Sequence, residues 1–364
     1  MIIDRIEPLA LRIPVTRKRD ASNMPAAPSD ALYLVLCRVT TRSGLVGYGE
    51  CLCNRTPMQQ ALFTTIRDAI APVYLGKSVE QREVLNFETR RRFASFGRAG
   101  TVINALAAID TALWDIAGKA AGKSLSAMIG GAKRTRVPVM ASLDKYDHAG
   151  RVSARLEQAM AAGVAAAKVH EADLGVIEAA RRVVPAAIPF VADLNNAHTL
   201  EVIRRDTVRW QALKLLFLED PVWPPEILLD CPPLPDVTVG LGADLGSAEQ
   251  LALYAKAAPV GVLQPDVCML GGVSEAVRAL SALAKWPGSI APHTPFIGPA
   301  GLASLHLIAA VEKPGFFATI EAEGAMDPYG FGLTRWQASI EVPTGPGLGF
   351  DPDPAWLRRH AMAG

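Results

Sequence analysis

Residues 163–175 read GVAAAKVHEADLG. The stretch opens as a buried strand does, with small and β-branched residues, and then sets Lys168 and His170 two positions apart. Side chains alternate faces along a strand, so the ammonium and the imidazole emerge on the same side. Similar units follow one another from residue 137 onward. Apolar runs VPVMASL (137–143), AAAKVH (165–170), PFVADLN (189–195), LLFLED (215–220), VTVGLGAD (237–244), GVLQPD (261–266), SIAPH (289–293) and FFATIEAE (316–323) make eight strands. Between them lie amphipathic stretches of helical period, among them 150–163, 174–184, 199–213 and 247–257, the last with Ser247 and Gln250 spaced as a capping box. Strands alternating with helices predict a parallel sheet, and eight units predict a closed barrel rather than an open doubly wound sheet. No glycine-rich phosphate loop, of GxGxxG or Walker form, supports the open alternative.

Upstream, LYLVLCRVTT (32–41) and LVGYGECL (45–52) flank the turn signal RSG and predict an antiparallel sheet. A helix follows, with apolar residues at helical steps from Leu106 to Ala120 and Gly122 as its stop. The 364 residues, half of them hydrophobic, are enough for one large core and a smaller one. Lys plus Arg (37) balances Asp plus Glu (36) without a basic run, which argues against nucleic acid or an anionic membrane as partner and for a small solute. The opening MIIDRIEPLALRIPV has no signal-peptide pattern, and no apolar run reaches spanning length, so a cytoplasmic protein is expected. The five cysteines lack redox or zinc spacing and are expected to be reduced packing residues.

Each barrel strand stays apolar until its last residues, where a titratable or chelating group stands. In order these are Lys168 and His170, Asp193 with Asn195, Glu219 with Asp220, Asp244, Asp266, His293, and Glu321 with Glu323. Steps of 22 to 28 positions separate successive sites, about one strand-plus-helix unit, so they are predicted to converge on the C-terminal mouth of the barrel. A single aspartate at a strand end is more often the N-cap of the next helix. Capping does not account for a ring that also holds Lys168, Glu219, His293 and Glu321. Asp193, Glu219 and Asp244 are hard oxygen ligands with no thiolate or paired histidine nearby, a set that suits Mg²⁺.

The segments AIDTALWDIAGKAAGKSLSAMIGG (108–131), ADLNNAHT (192–199), FLEDPVWP (217–224), LQPDVCMLGGVSE (263–275) and APHTPFIGPAG (291–301) resemble the enolase superfamily, in its mandelate racemase branch. The resemblance implies an α/β fold: a modified (β/α)₇β TIM barrel over residues 131–324, capped by an α+β domain from residues 1–130 with the tail 325–364. It implies a homo-oligomer and Mg²⁺-assisted removal of a proton α to a substrate carboxylate. Asp193, Glu219 and Asp244 fall on the third-, fourth- and fifth-strand metal ligands; the fifth-strand pattern here is Ala243-Asp244 where many members of the branch have Gly-Glu. Asp266 and His293 fall on the Asp-His dyad, Glu321 on the eighth-strand acid, and Lys168 on the first lysine of a Lys-x-Lys pair. His170 stands where the second lysine often stands.

On this reading His293 is the base, Asp266 fixes its tautomer, Lys168 and the metal stabilise the enediolate, and a protonated Glu321 donates to the carboxylate. The leading expectation is dehydration of a sugar acid to a 2-keto-3-deoxy acid. Alternatives are racemisation of a 2-hydroxy acid, with His170 and His293 on opposite faces, and a non-catalytic sugar-acid binder. Asn195 and Glu323 are candidate substrate contacts. Loops 15–30 and 50–57 are expected to close over the mouth, where Arg17, with Lys18 and Arg19, and Arg55 are candidates for binding a distal carboxylate.

Overall fold

The computed structural model describes residues 1–19, 29–53, 56–313, 315–322 and 330–362, with side chains described to residue 15 and again from 30 to 53 and from 58 on in the first three segments. Three strands open the chain as an antiparallel sheet: β1 (Ile3–Arg19), β2 (Ser29–Thr41) and β3 (Val46–Cys51). The β2–β3 turn is the one read from RSG, with Gly44 at φ +87°. The helix Thr101–Ala121 lies directly on β3, and Gly122 ends it in the left-handed conformation. Two glycines permit this contact. A Cβ on Gly47 would stand 2.2 Å from the carbonyl oxygen of Ala112, and one on Gly49 would stand 1.8 Å from that of Ala108. At Ala108 and Ala112 the helix presents only methyl groups to the strand, so backbone approaches backbone there.

The eight expected parallel strands all form: β4 (Arg136–Ser142), β5 (Ala166–His170), β6 (Phe190–Asp193), β7 (Phe217–Glu219), β8 (Val239–Leu241), β9 (Val260–Leu263), β10 (Ser289–Ile290) and β11 (Phe317–Ile320). They pair in the order β10-β9-β8-β7-β6-β5-β4-β11. Among the described residues no ladder joins β10 to β11. There the Thr294 hydroxyl accepts from the amide of Ala318 at 2.7 Å and donates to its carbonyl at 3.2 Å, closing the seam with one side chain. Alternation sorts the side chains: Met140, Ala166, Val191, Phe217, Val262 and Ala318 fill the barrel's interior, while Val139, Ala167, Ala192, Leu218, Leu263 and Phe317 face the helices outside.

The C-terminal tail returns to both parts of the chain. As β12 (Ser339–Glu341) it pairs antiparallel with the first residues of β4. Its helix Pro354–His360 then packs Trp356 against Leu11, Ile13, Leu34 and Leu36 of the N-terminal sheet. All five cysteines are buried and outside any disulfide. No helix among the described residues is long and apolar enough to cross a membrane.

Ser247 caps the helix Ala248–Ala257 as expected, accepting from the Gln250 amide at 3.2 Å. The return bond goes to the amide of Gly246 at 2.8 Å rather than to that of Ser247. The stretch 199–213 is two short helices, Leu200–Arg205 and Thr207–Ala212, which meet at Asp206.

Candidate active site

Alternation carries the interior face of β5 from Ala166 to Lys168 and then to His170. The Lys168 ammonium is 2% exposed and donates to Glu219 Oε1 at 2.7 Å and to Asp193 Oδ2 at 3.1 Å. Burial works against its charge, but the two carboxylates outweigh burial and hold its pKa above the ordinary value. Desolvation likewise opposes the Asp193 carboxylate, yet Lys168, His170 and the Asn195 amide keep it below the usual range. Glu219 goes the other way, raised by burial and by its repulsion from Asp193. Its second oxygen, Oε2, is buried without a hydrogen-bond partner.

Asp220 joins them. Ligand oxygens of Asp193, Glu219 and Asp220 lie within 4.8 Å of one another. Strict alternation would turn Asp220 away from the interior, but its φ of +40° is in the left-handed region, where the period of two ends. Burial and the charges of Asp193, Glu219 and Asp244 raise its pKa well above the carboxylate range. One lysine is too little positive charge for so many carboxylates. An orphaned buried carboxylate oxygen inside an all-oxygen cluster is what a hard divalent cation would satisfy, so the residues present fit Mg²⁺.

Asp244 stands in the turn after β8 and is open to solvent at the mouth, outside the 4.8 Å cluster. Dense surroundings still make desolvation the leading cause of its raised pKa, with Asp266 and Asp193 adding to it and His293 opposing. The capping explanation for the aspartates does not hold. The helices that follow Asp193, Asp244 and Asp266 take Thr199, Ser247 and Gly272 as their N-caps.

Across the mouth, His293 Nδ1 lies 2.7 Å from Asp266 Oδ2. The other Asp266 oxygen accepts from the amides of Cys268 (2.7 Å) and Met269 (3.0 Å), which fixes the carboxylate before it meets the imidazole. With Nδ1 engaged, Nε2 is the nitrogen left for chemistry. His170 is held differently: Nδ1 meets the carbonyl oxygen of Leu143, and Nε2 is 3.2 Å from Asp193 Oδ2. Desolvation lowers its pKa, but Asp193 and the Leu143 carbonyl outweigh burial and the Lys168 charge, leaving it raised.

Glu321 departs from the expectation. The interior positions of β11 and its extension are Ala318, Ile320 and Ala322, so Glu321 falls on the outer face with Phe317. Its buried carboxylate accepts from Arg155 Nε at 2.7 Å, from the Tyr146 hydroxyl at 2.9 Å and from the Asp144 amide at 2.6 Å. The carboxylate is thus engaged as an acceptor by a guanidinium, a hydroxyl and an amide, whereas the expected role is that of a donor to substrate. Asn195 brings its backbone to the cluster, at φ +46° with its amide 2.9 Å from Asp193 Oδ1. Arg55, Glu323 and the side chain of Arg17 lie outside the described residues.

The sequence reading missed Gln264 and Glu50. Gln264 directly follows β9, two residues before Asp266 and at the parity of interior Val262, and its Oε1 is buried without a partner; alternation alone would have found it. Glu50 carries no such signal.

Two family models cover most of the chain. Residues 11–130 match the mandelate racemase/muconate lactonizing enzyme N-terminal domain, and residues 151–356 match the enolase C-terminal domain-like family. The chain belongs to the mandelate racemase/muconate lactonizing enzyme family. Within the enolase superfamily it is similar to an arabinonate dehydratase of Saccharolobus solfataricus, 26% identical over 92% of each chain. A D-galactarolactone cycloisomerase of Agrobacterium fabrum is 28% identical over 87% of this chain and 88% of its own. The fold is shared with an L-talarate dehydratase from Polaromonas sp. JS666, whose structure holds Mg and L-glucarate: TM-score 0.83 at 21% identity, over 100% of this chain and 98% of that one.

Proposed function

We propose that this family member is a Mg²⁺-dependent dehydratase of a sugar acid, an aldonate or aldarate. The observation that carries the reading is the buried carboxylate cluster, with its orphaned Glu219 oxygen and its single ammonium, set beside an imidazole that a carboxylate has already oriented. Asp193, Glu219 and Asp244 would hold the ion, with Asp220 beside them; when bound it supplies positive charge to the substrate carboxylate. His293 Nε2 takes the C2 proton. Lys168 donates to the carboxylate oxygen on which negative charge grows. The imidazolium returns its proton to the C3 hydroxyl as the C3–O bond breaks, so water leaves and the enol product tautomerises to a 2-keto-3-deoxy acid.

The dehydratase name of the Saccharolobus relative and the Mg and L-glucarate of the Polaromonas structure support this assignment. Buried cysteines outside any disulfide fit a cytoplasmic protein, and we propose in addition a homo-oligomer with residues 1–130 and 325–364 as cap and 131–324 as catalytic barrel. Incubation with Mg²⁺ and a panel of aldonates and aldarates, assayed for 2-keto acids, tests the reading. Its failure with every acid in the panel would remove it.

A second reading rests on His170, whose imidazole reaches the same cluster from β5. With bases on both faces of the α-carbon the reaction becomes racemisation or epimerisation. Deuterium entering C2 of recovered, inverted substrate with no keto acid formed would select it.

A further inference from the structure

Glu50 lies on β3, far in sequence from every strand-end residue of the barrel, and is 3% exposed. Its Oε2 accepts from the amide of Ala300 at 3.0 Å, and the Gly298 amide lies close enough to favour its charge. These two amides open the helix Pro299–Ala310 and end the segment that begins at His293. The fit is close enough that a Cβ on Gly298 would stand 2.6 Å from Glu50 Oε2. The backbone of the same residue holds the other half of the dyad. Cys268 Sγ donates to the Glu50 carbonyl at 3.2 Å, while the Cys268 amide donates to Asp266 Oδ1. One residue further on, Asn104 ties the Leu52 amide (3.3 Å) to Met269 Sδ (3.2 Å), and the Met269 amide is the second donor to Asp266.

We infer that Glu50 is a positioning residue through which the N-terminal cap holds both members of the Asp266–His293 dyad in register with the carboxylate cluster. It touches no reacting atom. It grips one segment with its side chain and the other with its backbone, so the separation of Asp266 and His293 is set from the cap as well as by the barrel. Burial, opposed by the two amides, pushes its pKa up to about 8. Near neutrality it is therefore a neutral carboxyl, close in shape and charge to an amide.

The inference rests on His293 as the base, and its test separates the two. Glu50→Ala and Glu50→Gln are made in the full chain. Amide hydrogen exchange of metal- and substrate-free protein should rise about tenfold or more in segments 266–270 and 293–300 of Glu50→Ala, with 190–195 unchanged. In turnover, kcat should fall about 10- to 100-fold with KM within about twofold, and Glu50→Gln should recover to within about threefold of wild type. Unchanged exchange in the two segments, or a rise spread over the whole barrel, overturns the proposal. If Glu50→Ala does not fold, Glu50→Gln decides: loss beyond about 100-fold would make Glu50 a direct participant and overturn it equally. Failure of every substrate would sink the dehydratase reading but leave the exchange result to judge Glu50.

Discussion

Two imidazoles face the mouth from opposite sides of the barrel, and the chain treats them differently. His293 is backed by a carboxylate that is itself held by two amides, so its Nδ1 proton is fixed and Nε2 is the nitrogen left for chemistry. His170 is backed by a neutral carbonyl, that of Leu143, and commits Nε2 to Asp193. On the proposed reading the first arrangement prepares a base, while the second orients a ring and ties it to a neighbour. The proposal assigns the chemistry to His293 on the atom behind each ring rather than on the ring itself.

The sharpest break of that comparison is His293→Asn. It should lower turnover by about 10³- to 10⁴-fold and abolish exchange of the C2 proton with solvent deuterium, because no other group on that face takes the proton. Near-normal exchange in His293→Asn, with none in His170→Asn, would reverse the roles and place the base on β5. Lys168→Ala should lower turnover by about 10²- to 10³-fold, since it removes the one buried ammonium between Asp193 and Glu219. An effect confined to KM would make Lys168 a ground-state contact only.

Between the two histidines lies the proposed ion site. Chelation should abolish activity and Mg²⁺ should restore it. In calorimetric titrations Asp193→Ala and Glu219→Ala should weaken Mg²⁺ binding by at least about 100-fold and Asp244→Asn by about 10- to 100-fold, with Asp220→Asn within about threefold. The reverse order for the last two would make Asp220, which already sits within the cluster, the third ligand.

Smaller effects sharpen the comparison from the other side. His170→Asn should keep dehydration within about tenfold of wild type, as loss of an orienting contact does. Glu321→Gln should leave turnover within about threefold while lowering the thermal midpoint. It removes one charged partner from a mostly buried Arg155. Turnover lowered by about 100-fold at unchanged stability would instead return Glu321 to the substrate.

What the sequence determined by itself was whatever follows from strand period and spacing. All eight barrel strands, the sheet before them and the inward turn of Lys168, His170, Asp193, Glu219, Asp266 and His293 were legible, because alternation from one buried interior residue fixes every second residue after it. Tertiary structure decided what happens where the strands stop. Glu321 lies one residue past the end of β11 on the wrong parity for the mouth, and an arginine from the helix Ala149–Ala161 captured it. Asp220 reaches the cluster through a left-handed backbone that its sequence permits but does not require. Glu50 and Thr294 act across contacts between segments hundreds or tens of residues apart, one holding the dyad and the other closing the barrel. Periodicity is a local property and survives reading along the chain. A side chain's partner at a strand end is set by what packs against it, which the chain's order alone does not contain.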